Sequence, residues 1–291
     1  LCFACEERMK DGNPLLVESH NGLARVTLNR PHRRNALDAS MVDKLYEAFD
    51  EMAQDPSVRT IVLAATGSAF CAGADLNWMG SEGAVSASEA QKNAERLMKM
   101  FRAIDECPCP VIGRIQGVAF GGGVGLIAVC DIAVAAEDAT FALSEVRLGL
   151  VPAVIAPFLL RKTGESFVRR FCLTGESFSA SAAQECHLVH DVTEPDKLDS
   201  RVDELVHMVL RLAPQATRDT KALFRRLLTL SEEERWRVCT EANAHARLSA
   251  EAQEGLRAFL EKRSPGWTDL SVKRGKEPQE GKPHNVTGQP A

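Results

Sequence analysis

Residues 110–135 read PVIGRIQGVAFGGGVGLIAVCDIAVA, and this stretch decides the fold. Val111 to Ile115 is a short apolar run of the kind buried on both faces of a sheet. Gly117 to Gly125 is rich in glycine, and a short helix is expected to follow to Cys130. Ile132 to Ala135 then reads as the next strand. Strand, glycine loop, helix and strand in that order indicate an α/β protein. A loop that runs into a helix points free N–H groups and the positive end of the helix dipole at any ligand there.

Working toward the N-terminus, TGSAFCAGAD at 66–75 is a second loop of small residues after a buried strand, Val58 to Ala64. Small side chains let a ligand approach the backbone closely. Two N–H groups converging on one oxygen would form an oxyanion hole. The same glycines would also serve close helix–sheet packing, and spacing alone leaves both readings open. Leu15 to Ser19 and Leu23 to Leu28 form a hairpin around Asn21-Gly22, since both residues tolerate positive φ. Ser40 is a candidate cap for a helix whose Met41, Leu45, Ala48, Phe49 and Met52 make one apolar stripe. Ser86 or Ser88 starts a long amphipathic helix that Cys107-Pro-Cys109-Pro ends near Glu106.

Toward the C-terminus, Thr140 to Leu143 reads as a strand, and after Pro152 the pattern turns helical. Helices are expected at 158–163, 167–173 and 181–185, then a short strand at 188–192. Further helices follow at 198–212, 216–230, 231–248 and 251–262, with Ser231 and Glu234 forming a capping box. The organisation is therefore an α/β core at 15–195, a helical region at 196–265 and a polar, Pro- and Gly-rich tail at 271–291, read as disordered.

Composition narrows the function. The chain has 291 residues, 45% hydrophobic and 26% charged, the balance of a soluble globular protein. Aromatics are 5%, so the core is expected to be mostly Leu, Val, Ile and Ala. A net charge of -5 argues against a general nucleic-acid or anionic-membrane binder. No run approaches the ~18 apolar residues of a membrane span. Nine Cys, an odd number in a large chain, suit a reducing compartment. A cytoplasmic protein is expected, or one of the mitochondrial matrix in a eukaryote. The chain begins at Leu1, so a removed targeting segment stays open. Cys107 and Cys109 lack a second Cys/His pair at zinc spacing, and no metal is expected. Cys71 reads as a small filler, Asp131 as a cap or ion-pair residue, and His187 and His190 as surface or packing residues. Asn285-Val-Thr287 matches the glycosylation triplet by chance. Gly123-Val-Gly125-Leu-Ile-Ala128 fits the dinucleotide pattern, but it lies away from the strand–helix turn and lacks an acidic residue at the usual offset.

The landmarks LNRPHRRNAL at 28–37, AFCAGADL at 69–76, the glycine stretch at 110–135, FALSEVRLGLVP at 141–152, LTGESFSASAA at 173–183 and GLRAFLEKR at 255–263 stand in a family order. Together they resemble the enoyl-CoA hydratase/isomerase (crotonase) superfamily over about residues 15 to 265. The resemblance implies a spiral of ββα units, a helical C-terminal region and a homo-oligomer, trimer or hexamer. The substrate would be an acyl-CoA thioester, with coenzyme A as part of the substrate and no separate cofactor. The implied oxyanion hole falls on the N–H groups of Ala72 and Gly122. Gly121 lies in the same loop. Arg30, Arg33, Arg34 and Ala36, with Ala74, Asp75 and Leu76, occupy the stretches that meet coenzyme A, and Lys262 matches a cationic position that reaches a phosphate.

Hydratases of this family commonly use two Glu. Glu145 matches one; Gly125 stands where the other would be. Glu145 follows an apolar strand, where partial burial would raise its pKa and suit acid/base work. Ser144 is a candidate to orient a water. A single carboxylate also suits a Δ3,Δ2-enoyl-CoA isomerase. GADLNWM at 73–79, GGGVGL at 121–126 and SEVRLGLVPA at 144–153 resemble the bacterial methylglutaconyl-CoA hydratase branch, which favours hydration of a branched or glutaconyl-type enoyl-CoA. On that reading Gly125 makes room for the acyl group, and Arg147 is a candidate partner for a distal carboxylate. The remaining alternative is a non-catalytic scaffold or RNA-binding relative.

Overall fold

The computed structural model describes residues 13–80 and 86–269. The tail, the Asn285 triplet, Cys2 and Cys5 lie outside them. The hairpin is present as β1 (Leu15–His20) and β2 (Leu23–Leu28), with Asn21 at φ 49° and Gly22 at φ 85°. Helix α1 (Ala39–Gln54) buries the expected stripe. Its cap is Asp38 rather than Ser40: the Asp38 carboxylate accepts the Met41 N–H at 2.8 Å. A carboxylate there also favours the positive helix end.

Three more strand pairs follow. β3 (Thr60–Ala65) and β4 (Ala69–Cys71) lead to α2 (Leu76–Gly80) and α3 (Ala87–Glu106), which Ser86 caps. β5 (Val111–Ile115) and β6 (Val118–Phe120) lead to α4 (Gly122–Ala128). β7 (Ile132–Ala136) and β8 (Thr140–Ala142) lead through a 3-10 turn at Glu145–Leu148 to α5 (Ala156–Thr163) and α6 (Glu165–Thr174). β9 (Ser177–Ser179), α7 (Ala180–Glu185) and β10 (Asp191–Thr193) complete the core. Leu188 and Val189, expected in the last strand, lie buried just before it.

First strands and second strands separate into two sheets. One has the order β1-β2-β3-β5-β7-β10, parallel except for β1; the other is β4-β6-β8-β9, parallel except for β9. This is the spiral of ββα units that the resemblance implies. Every residue of β3 is buried, because both faces of its sheet are covered. Ile61 and Leu63 point into the main core, whereas Val62 and Ala64 meet helix α8 (Leu198–Leu210) through Val202 and Val206. The scarce aromatics are concentrated rather than absent from the interior: Phe49, Phe70, Phe101 and Phe141 are fully buried.

Helices α9 (Pro214–Leu227), α10 (Glu232–Leu248) and α11 (Ala250–Leu260) follow, with the Ser231–Glu234 capping box formed. They leave Trp236, Leu248, Phe259 and Leu260 exposed. Asp131 ties α9 to the core: its carboxylate accepts the Val111 N–H at 2.7 Å and pairs with Lys221 at 2.6 Å. His190 is a packing residue whose Nδ1 accepts the Ala133 N–H. Cys109 donates its thiol to the Val58 carbonyl, and Cys71 is buried with its pKa pushed up to about 12. Among the described residues, no helix is long and apolar enough to cross a membrane.

Candidate active site

The second sheet builds the site. Its strands β4, β6 and β8 are parallel neighbours, so the segments leaving their carboxyl ends lie side by side. Those segments are Ala72–Ala74, Gly121–Gly122 and Ser144–Glu145. Ligands bind at such strand ends in α/β proteins. The three segments line one cavity of about 300 Å³, closed by Leu76, Met79, Leu97, Phe101 and the Leu148–Ile155 stretch. Sequence patterning missed β4 and β6, because three-residue strands inside glycine loops carry no period.

The resemblance implies oxyanion donors on Ala72 and Gly122, but of these two N–H groups the first is not free. The Ala72 N–H is already donated to the Arg34 carbonyl at 2.9 Å. Leu37 pairs across the same loop, donating to the Gly73 carbonyl and accepting the Asp75 N–H, each at 2.8 Å. Pairing on both sides leaves the intervening Ala74 N–H without a protein acceptor among the described residues. The Gly122 N–H, in the first turn of α4, is likewise unpaired. A Cβ placed on Gly122 would stand 3.9 Å from the Ala74 nitrogen, so these two donors are close neighbours.

Glu145 sits against Gly121, the residue before one of these donors, and lines the same cavity. A Cβ on Gly121 would lie 3.0 Å from its Oε1, and Gly121 adopts φ 48°, ψ −112°, a backbone conformation that needs glycine. The Glu145 Oε2 is buried without a hydrogen-bond partner. Burial raises its pKa above the ordinary carboxylate value, opposed by its own backbone N–H. Ser144 and Glu145 carry the only side-chain nitrogen or oxygen atoms on the cavity wall among the described residues.

Gly125 overturns a second expectation. Gly125 makes no room for an acyl group. A Cβ there would stand 2.3 Å from Ile155 Cγ2 and 3.1 Å from Phe101 Cε1. Gly125 does not reach the cavity; Ile155 and Phe101 form that wall.

Arg30 also takes a different role. It bonds the Ala36 carbonyl at 2.6 Å and pairs with Asp38 at 3.0 Å and Asp75 at 3.2 Å, so its charge is neutralised inside the protein. Ala36 and Asp75 are buried parts of this brace. Asn35 completes it, bonding the Thr66 and Ala69 carbonyls and accepting the Arg30 N–H. Asn35 was not singled out in the sequence; its φ of 54°, a conformation Asn tolerates, is the one local signal. The exposed basic side chains of the same turn are Arg33 and Arg34, with His32 beside them, and none makes an ion pair among the described residues. Arg147 is exposed, lies outside the cavity wall and packs over Gly175. Lys262 is exposed past α11 and also lies outside that wall.

Two adjacent N–H donors and a part-buried carboxyl group line one apolar cavity, an arrangement that can bind an oxyanion and move a proton beside it. The chain belongs to the enoyl-CoA hydratase/isomerase family, whose model matches residues 18–271. It is 32% identical over 254 residues to the 2,3-dehydroadipyl-CoA hydratase of Escherichia coli, covering 86% of this chain and 97% of that one. A solved enoyl-CoA hydratase from Shewanella pealeana superposes with a TM-score of 0.84 at 36% identity, covering 91% of this chain and 100% of that one. AtuE of Pseudomonas aeruginosa gives a TM-score of 0.85 at 35% identity, over 88% of this chain and 100% of that one. The fold is thus the crotonase fold, and the chain is an enzyme of that superfamily acting on acyl-CoA.

Proposed function

We propose that the protein adds water across the double bond of an enoyl-CoA thioester. The observation that carries this reading is the buried, unpartnered Glu145 carboxyl beside the free N–H groups of Ala74 and Gly122. Glu145 takes a proton from water as its oxygen bonds to Cβ. The double-bond electrons shift to the thioester oxygen, and the two N–H groups hold the enolate. Glu145 then returns the proton to Cα. A raised pKa suits both halves of that transfer.

The acyl group is proposed to be a branched hydrocarbon rather than a glutaconyl type. Leu76, Met79, Leu97 and Val154 line the cavity, and no Lys, Arg or His among the described residues does. A distal carboxylate there would be buried unpaired, which is costly. His32, Arg33 and Arg34 are proposed to meet the phosphates of coenzyme A. The helical region is proposed to support a trimer or hexamer through its exposed Trp236, Phe259 and Leu260.

A second reading, double-bond isomerisation, is favoured by one observation: Glu145 is the sole carboxylate on the described cavity wall. A panel of 2- and 3-enoyl-CoA substrates in heavy-oxygen water separates the two. Label in the product supports hydration; a moved double bond without label supports isomerisation. No conversion of any panel member would reject both.

A further inference from the structure

We propose that the Ser144 hydroxyl is a second catalytic group, the partner that holds the reacting water together with Glu145. This rests on the hydration reading. A reacting water must point one hydrogen at its base and a lone pair at Cβ, and a single hydrogen bond leaves it free to rotate. Buried waters in proteins typically make about three hydrogen bonds, with a range of 2–4. Glu145 supplies one. Ile155 and Phe101, which line the cavity and fill the space at Gly125, supply none. Ser144 is the remaining polar side chain on the described wall.

Its hydroxyl is uncommitted. Ser144 stands at the N-cap of the 3-10 turn, where a serine normally accepts a backbone N–H, yet it makes no cap bond. It is half-buried and makes no side-chain hydrogen bond within the described protein. A hydroxyl offers one donor and two acceptor sites, so it can hold a water in either orientation. Its backbone is fixed, since the Ser144 carbonyl accepts the Arg147 N–H at 3.0 Å. The water partner therefore sits on the same rigid turn as the base.

The test compares wild type, Ser144→Ala and Ser144→Thr with an enoyl-CoA that the wild type converts, in heavy-oxygen water. Ser144→Ala is expected to lower kcat for hydration about 100-fold, the low end of the range for a lost transition-state hydrogen bond. KM should stay within about twofold, because the group touches water rather than the acyl chain. Ser144→Thr, which keeps the hydroxyl, should recover most of the rate. The acid limb of the kcat profile belongs to Glu145 and should not move in Ser144→Ala. Label uptake by wild type with Ser144→Ala within twofold of its kcat overturns the Ser144 role alone. Equal losses in Ala and Thr variants also overturn it, since they mean packing. No label uptake by the wild type removes the reacting water, and both readings fall together.

Discussion

The two walls of the cavity solve opposite problems. On one, a carboxyl group is held in a buried place with an unpaired oxygen, against a glycine that leaves it room. On the other, a position that a second carboxylate would take is packed solid by Ile155 and Phe101. On the proposed mechanism the first wall gives up stability for chemistry; the second is ordinary close-packed interior. The single-acid site is therefore an alternative packing, with an isoleucine of the Leu148–Ile155 stretch grown into the space.

The sharpest way to break this contrast is to neutralise the reactive wall. Glu145→Gln keeps size and removes proton transfer, so kcat should fall about 10³-fold, within the usual range for a general acid/base. Retained substrate-analogue binding, measured by calorimetry, would show that the site remains assembled. A kcat within tenfold of wild type would remove Glu145 from its role.

Next in size is the donor pair facing that carboxyl. Gly122→Pro deletes the N–H at the first position of α4, where proline is tolerated. Loss of one such donor should cost about 10²- to 10³-fold in kcat with a smaller change in KM. A melting temperature near wild type is the control.

The packed wall predicts a stability effect instead. Gly125→Ala forces a methyl group to 2.3 Å from Ile155 Cγ2, so it should destabilise by about 1–3 kcal/mol. Ile155→Ala should destabilise alone by leaving a cavity, yet relieve much of the Gly125→Ala cost in the double variant. Denaturant unfolding of all four proteins measures the coupling. Additive losses would mean that the two positions do not compete for space.

What the sequence could reveal divides along the same line. Periodicity and capping are local, so the stripe of α1 and the Ser231–Glu234 box were legible. The loop chemistry was legible only as one of two readings, because small residues before a helix serve close packing as well as ligand approach. Which N–H is free was not, because Arg34 and Leu37 decide it by pairing across the loop from over thirty residues away. Gly125 misled for the same reason: an absent side chain reads as space until the neighbour that fills it is placed. Arg30 reads as a phosphate contact until Asp38 and Asp75 are seen around it.

The smallest expected effect tests the cost of the reactive wall. Burial raises the Glu145 pKa in the folded state above its unfolded value, near 4.3 for a free Glu. The folded protein thus holds that proton more tightly than the unfolded chain. Below the unfolded pKa both states are protonated and the group makes no difference to stability. As pH rises toward the folded pKa, the unfolded chain ionises more readily and the folded state loses stability; above it the loss is complete. Glutamine cannot ionise, so Glu145→Gln escapes this loss. Its melting temperature should match wild type in acid and exceed it at neutral pH, where its turnover falls furthest below that of wild type. The acid limb of wild-type kcat should fall in the same window, above the ordinary carboxylate range, because protonation removes the base. A melting-temperature difference that stays flat across this window would mean that the carboxyl is solvated like any surface Glu, and the contrast between the two walls would lose its electrostatic half.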